Sequence, residues 1–213
     1  MAPSLSLAVQ GSAGAIEALA DHPDADAFAA PRGTVVIAHP HPLFGGTMHN
    51  KVVQTLARAY VQCGWRAVRF NFRGVGGSAG SHDEGRGEVD DMLAVVSQTA
   101  SPGDALAIAG FSFGAYVAAQ VIARLYPGRP MASAVLVGTA ASRFAVPAIA
   151  QDLHARTLVV HGEQDDVVPL AAALDWARAQ SLPVTVVSGS GHFFHGQLPL
   201  LKALVVRHVR GCA

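Results

Sequence analysis

The sequence predicts an α/β fold, in which a mostly parallel, twisted sheet is covered by helices on both faces. Two observations lead to this prediction: short apolar blocks alternate with helical patterns along the chain, and these blocks are apolar on both faces. Strands that are buried on both faces need helices on both sides of the sheet. The 213 residues are enough for a core of ordinary size, so we expect one domain over residues 1–213.

The apolar and helical patterns predict strands and helices that alternate along the chain, as a parallel sheet covered by helices requires. The segment before Ala30 indicates a hairpin that extends the sheet antiparallel at one edge. Apolar blocks predict strands at Thr34–His39, Arg66–Phe72, Ala105–Gly110, Met131–Gly138, Arg156–Gly162 and Leu182–Gly189. Segments of helical pattern predict helices near Asn50–Cys63, Val89–Ala100, Ala115–Tyr126, Leu170–Gln180 and Leu198–Arg210.

The composition narrows the classes of function. The formal net charge is +0, so the basic excess that binding to a phosphate backbone needs is missing, and we expect no nucleic-acid partner. Cys63 and Cys212 have no CxxC spacing, and two cysteines are too few for a disulfide framework, which suits a reducing compartment. The amino-terminal segment lacks the pattern of a secretory signal, and glycines interrupt the uncharged run Ala105–Ala123. We therefore expect a cytoplasmic protein with no membrane partner.

Ser112 is the first candidate for catalysis. It is the centre of a G-x-S-x-G pattern that runs from Gly110 to Gly114, between a predicted strand and a predicted helix. The spacing has a physical reason, because the turn is so tight that a side chain at either glycine would collide with backbone, and the serine is held in a strained conformation. This context favours a nucleophile on the sharp turn from strand to helix.

A serine hydroxyl is a poor nucleophile at neutral pH, so Ser112 needs a base and an orienting acid, which follow it in the order Asp, His in this type of fold. Ligands of such sheets bind at the carboxyl ends of the strands. Asp165 and Asp166 follow one predicted strand, and His192 follows the next strand and a Gly-Ser-Gly loop. His192 is the predicted base, in preference to the neighbouring His195.

These residues resemble the α/β-hydrolase superfamily, and within it a group of small, lidless serine hydrolases. The resemblance covers nearly the whole chain and is carried by "HPHPLFGGTMHNKVV", "FNFRGVGGSAGS", "GFSFG", "HGEQDDVVP" and "GSGHFFHG", of which the first is the most specific to the group. It implies that Ser112 is the nucleophile, Asp165 the acid and His192 the base. It also implies an α/β-hydrolase fold and an ester-cleaving activity.

Such an enzyme needs an oxyanion hole, in which two N–H groups stabilise the charge on the attacked carbonyl oxygen. The backbone N–H of Phe113 is the first candidate, because it lies at the positive end of the helix that follows Ser112. The second should come from the loop after Thr34–His39, where Pro40 and Pro42 have no N–H to donate. We expect His41 to supply it, with Leu43 as the alternative.

Two other motifs suggest rival chemistries. His39 and His41 are two residues apart, a spacing that metal ligands on a strand can have, and His49 is near. Against a metal site, Pro40 and Pro42 indicate a turn, and the acid and third histidine of familiar H-x-H metal sites do not follow closely. The segment Gly74–Ala79 loosely matches a dinucleotide fingerprint, yet no helix is predicted to start there. We therefore expect neither a metal nor a cofactor.

The predicted function is that of a carboxylesterase acting on small, soluble esters through an acyl-enzyme. An acyltransferase with the same acyl-serine, a non-catalytic binding protein and a metal-dependent hydrolase are the alternatives. The segment between the strands that end at Gly138 and begin at Arg156 is too short for a helical cap, and we expect a loop with at most one helical turn. Neither the physiological ester nor the oligomeric state follows from the sequence.

Overall fold

The computed structural model describes residues 4–212, and within them eight strands form one sheet. The strands are Leu5–Gly11 (β1), Gly14–Asp21 (β2), Thr34–Ala38 (β3), Arg66–Phe70 (β4), Leu106–Phe111 (β5), Met131–Val137 (β6), Thr157–Gly162 (β7) and Val184–Val187 (β8). Their order in the sheet is β1-β2-β4-β3-β5-β6-β7-β8. The strands from β3 to β8 pair in parallel, while β1 and β2 form an antiparallel hairpin at one edge. The predicted mostly parallel sheet with an antiparallel edge is confirmed.

Five helices of the described residues cover the two faces of the sheet. They are Lys51–Gln62 (α1), Arg86–Thr99 (α2), Phe113–Leu125 (α3), Leu170–Arg178 (α4) and Leu198–Gly211 (α5). Buried side chains of α1 and α5 join one apolar cluster, and those of α2, α3 and α4 join a second cluster across the sheet. The strands between them are apolar on both faces because each face packs against helices.

Helix α2 begins at Arg86, three positions before the predicted start at Val89. Gly85 and Gly87 lie at the start of this helix, where glycine is unfavourable, but the side chain of Glu88 reaches back to the amino end of the helix. Its carboxylate accepts hydrogen bonds from the N–H groups of Gly85 at 2.8 Å and Asp83 at 2.9 Å. These bonds satisfy backbone N–H groups just before the first turn of the helix, which compensates for the glycines.

Beyond these elements, the segment between β6 and β7 contains only loops and one short 3₁₀ helix at Gln151–Arg156. No cap domain is inserted in the part of the chain that the structure describes, as the sequence predicts. Among the same residues, no helix has both the length and the apolar character needed to cross a membrane. Cys63 is buried and Cys212 half-buried, and both are free thiols.

The amino end of α3 lies against the end of β3 with almost no space between their backbones. A Cβ at Gly114 would lie 2.4 Å from the carbonyl oxygen of Ala38 and 2.5 Å from that of His39. A Cβ at Gly110 would lie 2.2 Å from the carbonyl oxygen of Gly114. Both glycines of the G-x-S-x-G pattern are thus required by contact with backbone, which cannot move aside as a flexible side chain can.

This contact generates a prediction about stability. Gly114→Ala should lower the free energy of unfolding by at least about 2 kcal/mol, because the new methyl group overlaps two carbonyl oxygens. Gly103→Ala is the matched control, since a Cβ there meets nothing within 4 Å. Urea denaturation of both variants measures the difference. Equal stability of the two variants would show that α3 can move away from β3 at little cost.

Candidate active site

The three predicted residues Ser112, Asp165 and His192 come together at the carboxyl end of the sheet. Ser112 directly follows β5, Asp165 follows β7, and His192 follows β8. All three residues are buried, with relative exposures of 7%, 8% and 2%. Because these strands run parallel, their carboxyl ends meet at one edge and bring residues from distant parts of the chain into contact.

The backbone at Ser112 adopts a conformation that non-glycine residues rarely take. Its φ is 58° and its ψ is −119°, and it is the last residue before α3. Its N–H donates to the carbonyl oxygen of Val137 at 2.8 Å, which ties the turn to the neighbouring strand β6. Such a conformation persists only when the surrounding structure enforces it. The turn therefore aims the Ser112 hydroxyl away from the sheet and towards His192.

A continuous hydrogen-bonded chain links the three side chains. Asp165 Oδ2 lies 2.6 Å from Nδ1 of His192, and Nε2 of His192 lies 3.0 Å from Oγ of Ser112. A carboxylate only accepts hydrogen bonds, so Nδ1 carries a proton and donates it to Asp165. In the neutral imidazole, Nε2 then has a free lone pair that accepts a hydrogen bond from the Ser112 hydroxyl.

The Asp165 carboxylate is held by the backbone as well as by His192. Its Oδ1 accepts hydrogen bonds from the N–H groups of Val168 at 2.7 Å and Val167 at 3.0 Å. Burial alone would raise the pKa of Asp165, but the bonds from His192 and these two N–H groups outweigh it and hold that pKa below its usual value. Its neighbour Asp166 is exposed and lies outside this chain of hydrogen bonds.

A second histidine beneath Asp165 was not singled out from the sequence. His161, at the end of β7, is fully buried, and its Nε2 lies 2.9 Å from the carbonyl oxygen of Val168 and 3.4 Å from Asp165 Oδ2. This ring closes the inner side of the turn that presents Asp165. Its position in an apolar strand gave no chemical signal in the sequence, because buried histidines are common in cores.

Two backbone N–H groups are available at the pocket beside Ser112. Within residues 4–212, neither the Phe113 N–H nor the His41 N–H donates to a protein group, and both residues line the pocket with Ser112. The Leu43 N–H is already used, since it donates to Nδ1 of His41 at 3.3 Å. Of the two candidates from this loop, His41 is thus the one with a free donor.

His39 fixes the loop that carries His41. It is fully buried, its Nδ1 donates to the carbonyl oxygen of Pro40 at 2.6 Å, and its Nε2 accepts from the N–H of Phe72 at 3.0 Å. Burial lowers the pKa of His39 to about 4, so the ring is neutral at physiological pH. Because both ring nitrogens are engaged, His39 has no lone pair for a metal, and His49 is exposed. Within residues 4–212, no three metal-ligating side chains cluster.

A buried carboxylate and another histidine lie behind His41. The ring of His82 packs against His41, with 4.8 Å between ring centroids, and its Nδ1 lies 2.7 Å from Oε1 of Glu88. Burial, with the neighbouring His82 and Arg143, lowers the pKa of His41. Glu88 thus has two roles, since it caps α2 and also contacts the ring that supports the His41 loop.

The segment Gly74–Ala79, which loosely matches a dinucleotide fingerprint, forms a turn that is hydrogen-bonded to residues at the edge of the sheet. The N–H of Gly77 donates to the Glu17 side chain at 2.7 Å, and the Ser78 hydroxyl donates to the carbonyl oxygen of Asn71 at 2.6 Å. No helix of the described residues starts inside this segment. Its polar groups bind neighbouring protein groups instead of facing open space.

A pocket of about 310 Å³ opens over Ser112. Its walls are largely apolar and come from four loops and the turn between β5 and α3. The lining residues are Pro40, His41, Phe44, Gly45, Gly46, Asn50, Ser112, Phe113, Ala140, Arg143, Phe144, Val167, Val168, His192 and Phe193. Three of them belong to the short segment between β6 and β7, which therefore forms a wall of the pocket without closing over it. Sequence reasoning identified this segment only by its length.

Comparison with known proteins places these features in a family. A family model described as serine aminopeptidase, S33, matches residues 29–147, more than half of the chain, and includes Ser112. A curated but uncharacterized protein of Rickettsia prowazekii is 45% identical over 92 residues, and this match covers 42% of the chain and 39% of the relative's length. The chain thus spans well under half of that relative.

Solved structures match over almost the full length. A serine hydrolase of α/β type without a lid, from Xanthomonas campestris, is 37% identical with a TM-score of 0.86, and the match covers 99% of this chain and 95% of the other. An α/β serine hydrolase homologue from Coxiella burnetii is 39% identical with a TM-score of 0.80, over 97% of this chain and 98% of the other.

The buried His39 generates a prediction about pH. In the unfolded chain this imidazole takes up a proton near its ordinary pKa of 6.5, whereas in the folded protein it does so only near 4. Between these pH values the unfolded state therefore binds more protons than the folded state. His39 makes its whole contribution to the free energy of unfolding above pH 6.5, and this contribution is lost as the pH falls towards 4. In His39→Asn, the free energy of unfolding should fall less steeply than in the wild type as the pH is lowered from 6.5 to 4.

The same variant should be less stable at pH 7 by about 1–3 kcal/mol, because the Phe72 N–H loses its acceptor. Urea denaturation at a series of pH values gives both quantities. His195→Asn, at an exposed position, is the control and should follow the wild-type curve. An unchanged acid sensitivity in His39→Asn would assign the loss of stability to other groups.

Proposed function

We propose that this chain, which belongs to the α/β serine hydrolases, is a carboxylesterase that cleaves small esters through an acyl-serine intermediate. In this proposal Ser112 is the nucleophile, His192 the general base and acid, and Asp165 the residue that orients His192. The observation that carries it is the hydrogen-bonded chain from Asp165 through His192 to Ser112, with distances of 2.6 and 3.0 Å.

The first half of the reaction forms the acyl-enzyme. Nε2 of His192 takes the proton of the Ser112 hydroxyl while Oγ attacks the ester carbonyl carbon, and a tetrahedral intermediate forms. The imidazolium ion is stabilised by Asp165, which accepts a hydrogen bond from the Nδ1–H of His192 throughout and does not take up its proton. The intermediate collapses when the bond between the carbonyl carbon and the alcohol oxygen breaks, and His192 gives its proton to the departing alcohol.

Water completes the reaction. His192 takes a proton from a water molecule, whose oxygen attacks the acyl carbon of Ser112, and the carbon–Oγ bond then breaks as Oγ regains its proton. The products are one carboxylic acid and one alcohol. During both halves, the N–H groups of Phe113 and His41 would donate to the negative oxygen, and each such donor is commonly worth about 10²–10³ in rate.

The pocket favours an ester over an amino-terminal peptide bond, although the matching family model is described as serine aminopeptidase. An aminopeptidase must hold the positively charged amino terminus of its substrate, and acidic side chains are suited to this task. None of the described residues that line the pocket is acidic, and its one formally charged side chain is the cation Arg143. The pocket volume of about 310 Å³ is at the lower end for ligand sites and fits a small substrate.

Ser112→Ala tests the nucleophile. The variant should hydrolyse p-nitrophenyl butyrate roughly 10⁴–10⁶-fold more slowly while keeping its fold, because alanine lacks the oxygen that attacks the ester. A fluorophosphonate probe, which releases fluoride as it bonds to an activated serine, should label the wild type at Ser112 and leave the variant unlabelled. Ser101→Ala, in an exposed loop, is the control. Turnover near wild type in Ser112→Ala would refute the proposal.

Asp165→Asn and Asp166→Asn separate the two neighbouring acids. The first should lower kcat by roughly 10³–10⁴, because an amide donor beside Nδ1 favours the wrong tautomer of His192. The second replaces an exposed side chain and should change kcat less than about twofold. Steady-state kinetics on p-nitrophenyl butyrate measure both. If Asp166→Asn is instead the damaging change, the orienting acid is the other residue.

A further inference from the structure

Among the described residues that line the pocket over Ser112, Arg143 is the one that carries a formal charge. Its guanidinium makes no hydrogen bond or ion pair with any protein group in residues 4–212. Most other arginines of the described chain are engaged: Arg69 binds Asp21, Arg73 binds Asp91, and Arg124 binds Asp90. A cation with five N–H donors is therefore left free at the mouth of the site.

The backbone that carries Arg143 is fixed. Its N–H donates to the carbonyl oxygen of Ala140 at 3.2 Å, and the N–H of Phe144 donates to the same oxygen at 3.1 Å. The ring of Phe144 stacks on Tyr116, with 4.7 Å between centroids, and packs edge-on against Phe113 at 5.3 Å. The turn is thus anchored to α3, whose first residue also offers a donor to the oxyanion. Arg143 and the reacting centre are held by the same packed aromatic group.

The surroundings of Arg143 favour a negative group in the pocket. The neutral His41 and the N–H groups at the start of α3 add donors but no negative charge. The buried carboxylates of Asp165 and Glu88 are outside the lining and already accept hydrogen bonds from N–H groups. Among the described residues that line the pocket, a substrate anion would meet a cation and several donors but no like charge.

We propose that Arg143 is a specificity residue that binds a carboxylate of the substrate, so that the preferred substrates are small esters that carry a free carboxylate besides the scissile bond. The apolar walls, with Phe44, Val167 and Phe193, would contact the hydrocarbon between the two groups. This inference rests on the proposed esterase function. The guanidinium fits a carboxylate in a bidentate fork, which adds direction to the attraction between the charges.

The test compares matched esters that differ in the carboxylate. On the acyl side, mono-p-nitrophenyl adipate is paired with p-nitrophenyl hexanoate, and on the alcohol side, 4-acetoxybenzoate is paired with phenyl acetate. For at least one pair, Arg143→Gln should lower kcat/KM of the anionic ester by roughly 3- to 20-fold, mainly through KM, and that of its neutral partner by less than about twofold. For each ester, kcat/KM of the variant is divided by kcat/KM of the wild type, which removes differences in chemical reactivity between the esters.

Three controls make the result specific. Arg207→Gln removes another exposed arginine, on α5 and outside this pocket, and should leave all four esters unchanged. Arg143→Lys keeps the charge but loses the fork, so it should recover part of the preference. The difference in kcat/KM between the wild type and Arg143→Gln on the anionic esters should shrink as salt rises from low to high concentration, because the guanidinium is exposed to solvent.

The outcomes separate this inference from the proposed function. If Ser112→Ala abolishes hydrolysis but Arg143→Gln affects anionic and neutral esters equally in both pairs, the esterase proposal stands and the role of Arg143 is overturned. If the wild type hydrolyses none of the four esters, or if hydrolysis persists in Ser112→Ala, both proposals fail together.

Discussion

The left-handed backbone at Ser112 is the constraint on which the rest of the site depends. A residue with a side chain is held at φ 58° only because β5 on one side and α3 on the other are packed too tightly to let the turn relax. That packing in turn requires bare backbone at Gly110 and Gly114, where any Cβ would overlap a carbonyl oxygen. The same close approach brings the start of α3 beside the His41 loop, so one contact positions the Ser112 hydroxyl and two free N–H groups.

Much of this arrangement could be predicted from the sequence because its causes are local. The G-x-S-x-G pattern encodes the tight turn in five consecutive residues, and apolar blocks of strand length encode the parallel sheet. Once a parallel sheet is assumed, Asp165 and His192 are expected at the same edge as Ser112, because all three follow strands that run in one direction. The hairpin β1–β2 and the absence of a cap in the described chain followed from similar arguments about pattern and length.

What the sequence did not reveal depends on contacts between distant residues. The early start of α2 comes from Glu88, whose buried carboxylate binds the backbone N–H groups of Asp83 and Gly85. His161 became part of the site through its position under the turn of Asp165, and nothing in its neighbours along the chain indicates this contact. Most of the pocket wall comes from four loops, whose path is determined by packing such as that of Phe144 on Tyr116. Composition and periodicity carry no information about such paths.

The protein satisfies its buried carboxylates in two different ways, and the difference determines the charge of the pocket. Asp21 on β2 and Asp91 on α2 are paired with Arg69 and Arg73. Near the pocket, Asp165 and Glu88 contact histidine rings and accept hydrogen bonds from backbone N–H groups, with no arginine bound to either. Directional N–H groups can hold a carboxylate in place without adding a full charge to the site. Arg143 therefore has no partner in an internal ion pair within residues 4–212, and its charge is available to a molecule that enters the pocket.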